Sequence, residues 1–185
     1  MSDVTRLIEA AQRGETHAAS ELLAQMYAEL RALAAQQMVR ERPEHTLQAT
    51  ALVHEAWLRL VDAEGQARFQ NRAHFFGAAA EAMRRILIGC ARRRKAQRRG
   101  GGQECVDLEE VEIAAPARDD EMLAVDEALE KLSTQDPAKA ELVKLRYFAG
   151  LTIEQAASVL GISTATAKRH WTFVRVWLYR EIRGD

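Results

Sequence analysis

Residues 151–182, LTIEQAASVLGISTATAKRHWTFVRVWLYREI, dictate the path of the backbone more tightly than any other stretch of the chain. Thr152 stands at an N-cap position, and Gln155 follows at capping-box spacing, so the two side chains can satisfy the first orphan amides of a helix reciprocally. Ala156 and Ala157 are small, as a close helix crossing requires. Gly161 lies four residues after Ala157 and ends the helix, and Ser163 caps the next one. A small residue in the first helix, glycine in the turn and a capped second helix are the pattern of a helix-turn-helix. In the second helix Ala167, Trp171, Val174, Leu178 and Ile182 share one face, and Lys168, Thr172, Arg175 and Tyr179 share another. A plain helical hairpin with a solvated basic face fits the same pattern. The capped turn followed by Lys168 and Arg169 favours a helix whose first turns enter a major groove and meet phosphates or guanine edges.

The remaining segments read as helical too. Leu22, Leu23, Met26, Leu30 and Leu33 recur at helical spacing over 17–40. Gly14 separates that helix from one over 3–13, and Pro43 cannot continue it. A third helix is expected over 47–63, with Leu52, Val53, Ala56, Trp57 and Leu60 on its apolar stripe. A fourth is expected over 73–98, after the loop EGQARFQNR, and RRGGGQE breaks it. The stretch up to Asp119 is acidic, contains Pro116 and holds few large apolar residues, so it reads as a linker. A second helical unit starts near Glu121. With three prolines among 185 residues and little strand-type alternation, the chain is predicted to be all-α. It divides into two small helical domains, 1–98 and 120–185, joined by an acidic linker over 99–119.

A formal net charge of −1 conceals an uneven distribution. Between Arg84 and Arg99 stand Arg84, Arg85, Arg92, Arg93, Arg94, Lys95, Arg98 and Arg99, with no acid among them. Between Glu104 and Glu121 stand Glu104, Asp107, Glu109, Glu110, Glu112, Asp119, Asp120 and Glu121, against Arg118 alone. Arginine-rich helix ends are often only soluble surface, but like charges this dense repel one another and point to a polyanion. Arginine can stack on a base as well as pair with phosphate. Ile86, Leu87 and Ile88 supply the side of that helix that packs.

Other classes of function find little support. No run of 18 apolar residues is present, so no membrane span is expected. MSDVTRLIEAAQRGE lacks the basic and apolar regions of a secretory signal, which predicts a cytoplasmic protein. Cys90 and Cys105 match no zinc spacing and are expected to be free thiols. His17, His45, His54, His74 and His170 have no metal-ligand spacing, and HEAWL is not HExxH. His54 and Glu55 are adjacent and point to different helix faces. RRGGGQ lacks the lysine and threonine of a phosphate-binding loop. No enzyme activity, metal or cofactor is expected.

ALVHEAWLRL, then FQNRAHFFGAAAEAMRRILIGCARRRK, then a linker and the helix-turn-helix, resembles bacterial RNA polymerase sigma factors of the extracytoplasmic-function (ECF) type. The likeness covers nearly the whole chain, and the order of its parts is the specific element. It implies core RNA polymerase and promoter DNA as partners. Leu52, Val53, Glu55, Trp57, Leu58 and Leu60 match the segment that docks on the clamp helices of the β′ subunit, and the C-terminal domain would meet the β flap. Phe69, Asn71 and His74 in the loop, with Arg84, Arg85, Arg92 and Arg93 on the next helix, match the part that opens and reads the −10 element. Thr164, Lys168, Arg169 and Thr172 would fall on the −35 element. The free protein is expected to be a monomer that binds DNA poorly, with its acidic linker lying against its basic helix.

Two departures from the family pattern carry consequences. Members of the family usually have an acidic cluster before the docking helix, where this chain has Gln48, Ala49, Thr50 and Ala51. In some sigma factors without that cluster a serine/threonine kinase supplies the switch. A phosphate on Thr50 would add nearly two negative charges near a helix N-terminus, where the dipole favours them. Thr46 is the second candidate, and a neutral threonine cap is the alternative. Second, Ala78 and Ala80 stand where the family often has aromatic residues, leaving His74, Phe75 and Phe76 to stack on an unpaired base. The rival reading is a stand-alone helix-turn-helix regulator that needs no polymerase and dimerises on a two-fold site. A small RNA-holding adaptor would leave the second unit unexplained.

Overall fold

A computed structural model describes residues 6–7, 10, 13, 15–39, 46–60, 69–98 and 116–184. The described residues are all-α. In chain order the helices are α1 (Thr16–Val39), α2 (Thr46–Leu60), α3 (Arg72–Arg98), α4 (Pro116–Gln135), α5 (Pro137–Val143), α6 (Ile153–Leu160) and α7 (Thr164–Arg183), with a π turn (Lys144–Phe148) directly after α5.

Leu22, Met26 and Leu30 recur every four residues along α1 and are buried, as are Val53 and Ala56 of α2. α3 is the central element. Asn71 starts it: its Oδ1 accepts the His74 amide at 2.8 Å, and its carbonyl accepts the Phe75 amide at 3.1 Å. Phe75, Phe76, Ala79, Ala80, Met83, Ile86, Leu87, Ile88 and Ala91 are all buried. A helix apolar nearly all round needs neighbours on several sides, and α3 has them. α2 lies against it, with α1 packed on α2 and its Leu22, Met26 and Leu30 in the same buried cluster, and α4, α6 and the π turn also touch α3. Arg72 anchors the start of α3 to α1 through Glu29 at 3.0 Å, with its guanidinium over Phe76.

α4 begins at Pro116, before the position near Glu121 read from the sequence, because proline is well suited to the first turn of a helix, where its missing N–H costs nothing. Asp136 breaks α4 from α5: its Oδ1 accepts the Lys139 amide at 3.0 Å, and Pro137 follows at the first helical position. One buried cluster joins Leu22, Met26, Val53, Phe75, Phe76 and Met83 to Leu142, Leu145, Ala156 and Val159. A second joins Leu87 and Ile88 to Leu129, Leu132, Val143, Phe148 and Val174. The helices up to Arg98 and those from Pro116 onward therefore share their cores.

The helix-turn-helix forms as its sequence predicts. Thr152 Oγ1 accepts the Gln155 amide at 3.2 Å, and Gln155 Oε1 accepts the Thr152 amide at 2.8 Å. Gly161 caps α6 at φ 66°, a left-handed conformation that suits glycine. Ser163 Oγ accepts the Thr166 amide at 3.0 Å and starts α7. Ala156, Ala157, Ala167 and Val174 are buried. Ile182 departs from the expected stripe and is exposed, because the cluster that covers α7 reaches Leu178 and not the final turn.

Candidate nucleic-acid interface

The outer face of α7 carries Lys168, Arg169, Thr172 and Arg175, all exposed, while Thr164 in its first turn is half-buried. Thr172 Oγ1 donates to the Lys168 carbonyl at 3.0 Å, and Lys168 Nζ lies 3.4 Å from Glu154 Oε1 of α6. The Glu154 carboxyl is held below its usual range, chiefly by its own backbone amide, with burial opposing and Lys168 adding to the effect. Arg146 of the π turn supports this unit from behind. Its guanidinium lies 4.9 Å from the Trp171 ring centroid, and its Nη1 donates to the Leu151 carbonyl at 2.8 Å. The sequence pattern alone gave no sign of Arg146, which acts through the fold of a turn.

The −10 residues expected from the sequence separate into three groups. Asn71 and His74 are exposed at the start of α3, and Phe69 is half-buried with its ring edge-on to Phe75 at 5.0 Å. Arg85, Arg92 and Arg93 are exposed; Arg85 Nε bonds Glu81 at 3.0 Å, Arg92 Nη2 lies 3.4 Å from Asp126 Oδ2, and Arg93 reaches Cys90 Sγ. Arg84 is buried, contrary to its expected place on an open face. Its Nε donates to Asp126 Oδ1 at 2.7 Å, its Nη2 bonds Glu130, and Glu81 lies 3.4 Å away. Burial opposes the Arg84 charge, and the hydrogen bonds to Glu130 and Asp126 outweigh it, so the group is held more firmly protonated than usual.

The expectation that Phe75 and Phe76 stack on a base is corrected: both are enclosed in the core. Phe69 and His74 remain near the surface. Ala80 is also fully buried, whereas Ala78 lines an open cleft of about 720 Å³ with His74, Gly77, Glu81, Arg84, Arg85, Glu130, Glu141 and Lys144. Burial opposes the charge of Glu81, and hydrogen bonds and charge from Arg85, Lys144 and Arg84 prevail, holding its carboxyl below the usual range. Of the acids that meet α3 from α4, Asp119 and Asp120 belong to the acidic run expected against the basic helix, whereas Asp126 and Glu130 give no such charge-run sign in the sequence. Their signal is one of spacing alone, with Asp119, Asp126 and Glu130 seven and four residues apart on one helix face.

Among the docking residues, Leu58 is 55% exposed, and Leu52, Glu55, Trp57 and Leu60 are half-buried. Glu55 pairs with Arg59 at 3.1 Å, and Trp57 packs edge-on against Tyr27. Val53 is corrected from an outward position to the core, where it is fully enclosed. α2 starts at Thr46, so Thr46 is its first residue and Thr50 its fifth; their side chains lie outside the described residues, as do Cys105 and the acids from Glu104 to Glu112. No described helix is long and apolar enough to cross a membrane, and no metal-ligand cluster occurs among the described residues.

A capped helix-turn-helix with a cationic outer face, whose first helix packs against an arginine-rich helix, is an arrangement suited to binding DNA. The family model for ECF sigma factors matches residues 1–184, and the chain belongs to that family. Its class of function is that of a sigma factor, which binds core RNA polymerase and promoter DNA and directs transcription initiation. No curated protein and no solved structure matches the chain.

Proposed function

We propose that the two ends of the chain divide promoter recognition between them. Residues 1–98 form a sigma-2-like domain that takes core polymerase and the −10 element, residues 99–119 connect, and residues 120–185 form a sigma-4-like domain that takes the −35 element. The observation that carries the reading is the outer face of α7, where Lys168, Arg169 and Thr172 stand together beyond a capped turn. That geometry suits a recognition helix whose first turns meet base edges and phosphates. Phe69, Asn71, His74, Arg85, Arg92 and Arg93 serve the −10 element, and Arg84 joins them once its acids are displaced.

The β′ clamp helices dock on the exposed part of α2, with Leu58 at the centre and Leu52, Glu55, Trp57 and Leu60 around it. Val53 supports that face from inside. Phe173, Val176 and Tyr179, each more than half exposed on α7, suit an apolar partner such as the β flap. Leu58→Asp is expected to weaken binding to core RNA polymerase about tenfold or more, since it puts a charge into an apolar contact. Helical circular dichroism should stay unchanged, because the side chain is exposed. Unchanged affinity would remove α2 as the docking element.

Thr46 and Thr50 are the sites of a kinase switch in this reading. The first turn of α2 holds no acid, and dipole effects fade beyond the first turn, so Thr46 gains weight over Thr50. A phosphate there supplies the negative charge missing before the docking helix. Thr46→Glu or Thr50→Glu is expected to tighten core polymerase binding at least threefold, measured by anisotropy. No gain from either substitution, nor from enzymatic phosphorylation of the wild-type chain, would end the switch proposal.

A further inference from the structure

Glu154 is the only acid between Leu151 and Arg180, in a unit whose outer face is cationic. It is the second residue of α6, and its carboxylate crosses to α7, where Oε1 lies 3.4 Å from Lys168 Nζ. Both side chains are open to solvent, Glu154 at 58% and Lys168 at 63%. Arg169 and Arg175 are exposed on the same helix and form no ion pair among the described residues. The acid therefore singles out one cation of the outer face and leaves its neighbours unopposed.

The fold has little need of that pair. The first amides of α6 are already satisfied by the reciprocal cap of Thr152 and Gln155. An exposed ion pair adds little to stability. A carboxylate beside a polyanion also opposes binding, because it repels phosphate and cancels a cation that would otherwise displace counterions. An acid that serves neither the fold nor the affinity has its use in discrimination, which is a difference between sites and not a strength at one.

The chemistry of lysine makes that use specific. Its ammonium is a compact charge on a flexible stem, with no fixed plane, so an unrestrained lysine takes a nearby phosphate as readily as a base. Beside Glu154, the charge of Lys168 is matched and its stem is drawn toward the first turn of α6. Its remaining donors still suit the O6 and N7 acceptors of a guanine in the major groove. A phosphate gains little from a cation already neutralised.

We propose that Glu154 is a specificity-determining residue that acts through Lys168. It withholds the ammonium from the DNA backbone and positions it for a guanine edge of the −35 element. The pair gives up affinity common to all sequences and gains contrast between them. The proposal rests on the reading above that α7 takes the −35 element.

The first arm of the test reads base preference. Holoenzyme is assembled from the full chain and bacterial core RNA polymerase, and the probe is a pool of DNA duplexes randomised over the −35 and −10 regions, sequenced before and after capture. Wild type is expected to select guanine at one −35 position, and Lys168→Ala to erase that preference. Glu154→Gln keeps the length of the side chain without its charge, and is expected to reduce the preference about fivefold.

The second arm needs no polymerase. Binding of the full chain to a mixed-sequence DNA duplex is followed by anisotropy over a range of salt. Glu154→Gln is expected to bind about threefold more tightly at low salt and to steepen the slope of log affinity against log salt by roughly 0.9, the share of one new phosphate contact. Combined with Lys168→Ala, it should match Lys168→Ala alone in both preference and slope. Glu127→Gln, at an exposed acid of α4, removes the same charge and is expected to change neither.

A purely structural Glu154 would weaken binding and leave the slope unchanged. That result, or a guanine preference that Glu154→Gln leaves whole while Lys168→Ala erases it, would overturn the proposal and leave α7 on the −35 element. A preference that survives Lys168→Ala but not Arg169→Ala would do the same. A preference indifferent to both would take α7 off the −35 element, and the proposal with it.

Discussion

Ala80→Trp is expected to destabilise the protein by about 3 kcal/mol, because an indole must enter a site where a methyl group is already fully enclosed. The position matters because ECF sigma factors often carry an aromatic residue here. In this chain α3 is packed along its length at that point, and Ala79, Ala80 and Met83 belong to the cluster that also holds Leu142, Leu145 and Ala156. Close-packed interiors have little room to absorb added volume. Ala78→Trp is the matched comparison. Ala78 lines the open cleft, so the ring can extend into solvent, and the cost should stay below about 1 kcal/mol. Urea unfolding of the two variants reads the difference directly. Equal and small effects would mean that the C-terminal helices do not enclose α3 as described.

Arg84→Ala is expected to cost about 3 kcal/mol, and the reason is the partner left behind. Asp126 is 6% exposed. Without Arg84 it keeps an ion pair with Arg92 Nη2 at 3.4 Å, and a carboxylate out of water with poor pairing is costly. The double replacement Arg84→Met, Asp126→Leu removes both charges and should lie within about 1 kcal/mol of wild type. Glu130 and Arg92 are largely exposed and can be solvated where they stand. A cycle built from Arg84→Met, Asp126→Leu and the double replacement should therefore depart from additivity by about 2 kcal/mol or more. Strictly additive effects in denaturant titration would show that the pair is not held in the dry contact.

Local chemistry was readable from the sequence wherever neighbours in the chain decide it. Thr152, Gln155, Gly161 and Ser163 specify the caps and turn of the helix-turn-helix within a dozen residues, and the structure follows them. Lys168, Arg169 and Thr172 were legible as an outward face because α7 has one clear buried side. α3 was not legible in the same way. Its apolar residues run nearly all round, so periodicity could not tell which side met α1 and α2 and which met the C-terminal helices. Arg84 was read as exposed because the acids that bury it, Asp126 and Glu130, stand more than forty residues away. Val53, Phe75 and Phe76 were misplaced for the same reason: an apolar side chain fits an inner or an outer apolar surface equally well until the neighbours are known. The basic helix was expected to be covered by acids of the linker. Among the described residues Asp119, the last residue of that expected linker, and Asp120 do pair with it, but both already stand in α4, and Asp126 and Glu130 further along the same helix join them.

The most direct measurement is binding of the purified full-length chain to bacterial core RNA polymerase, followed by gel filtration and anisotropy. A one-to-one complex that forms with the wild-type chain, or with the Thr46→Glu or Thr50→Glu form, and is weakened by Leu58→Asp, is the expected result. A chain that ignores core polymerase in all of these forms, and instead binds two-fold DNA sites as a dimer, would contradict it.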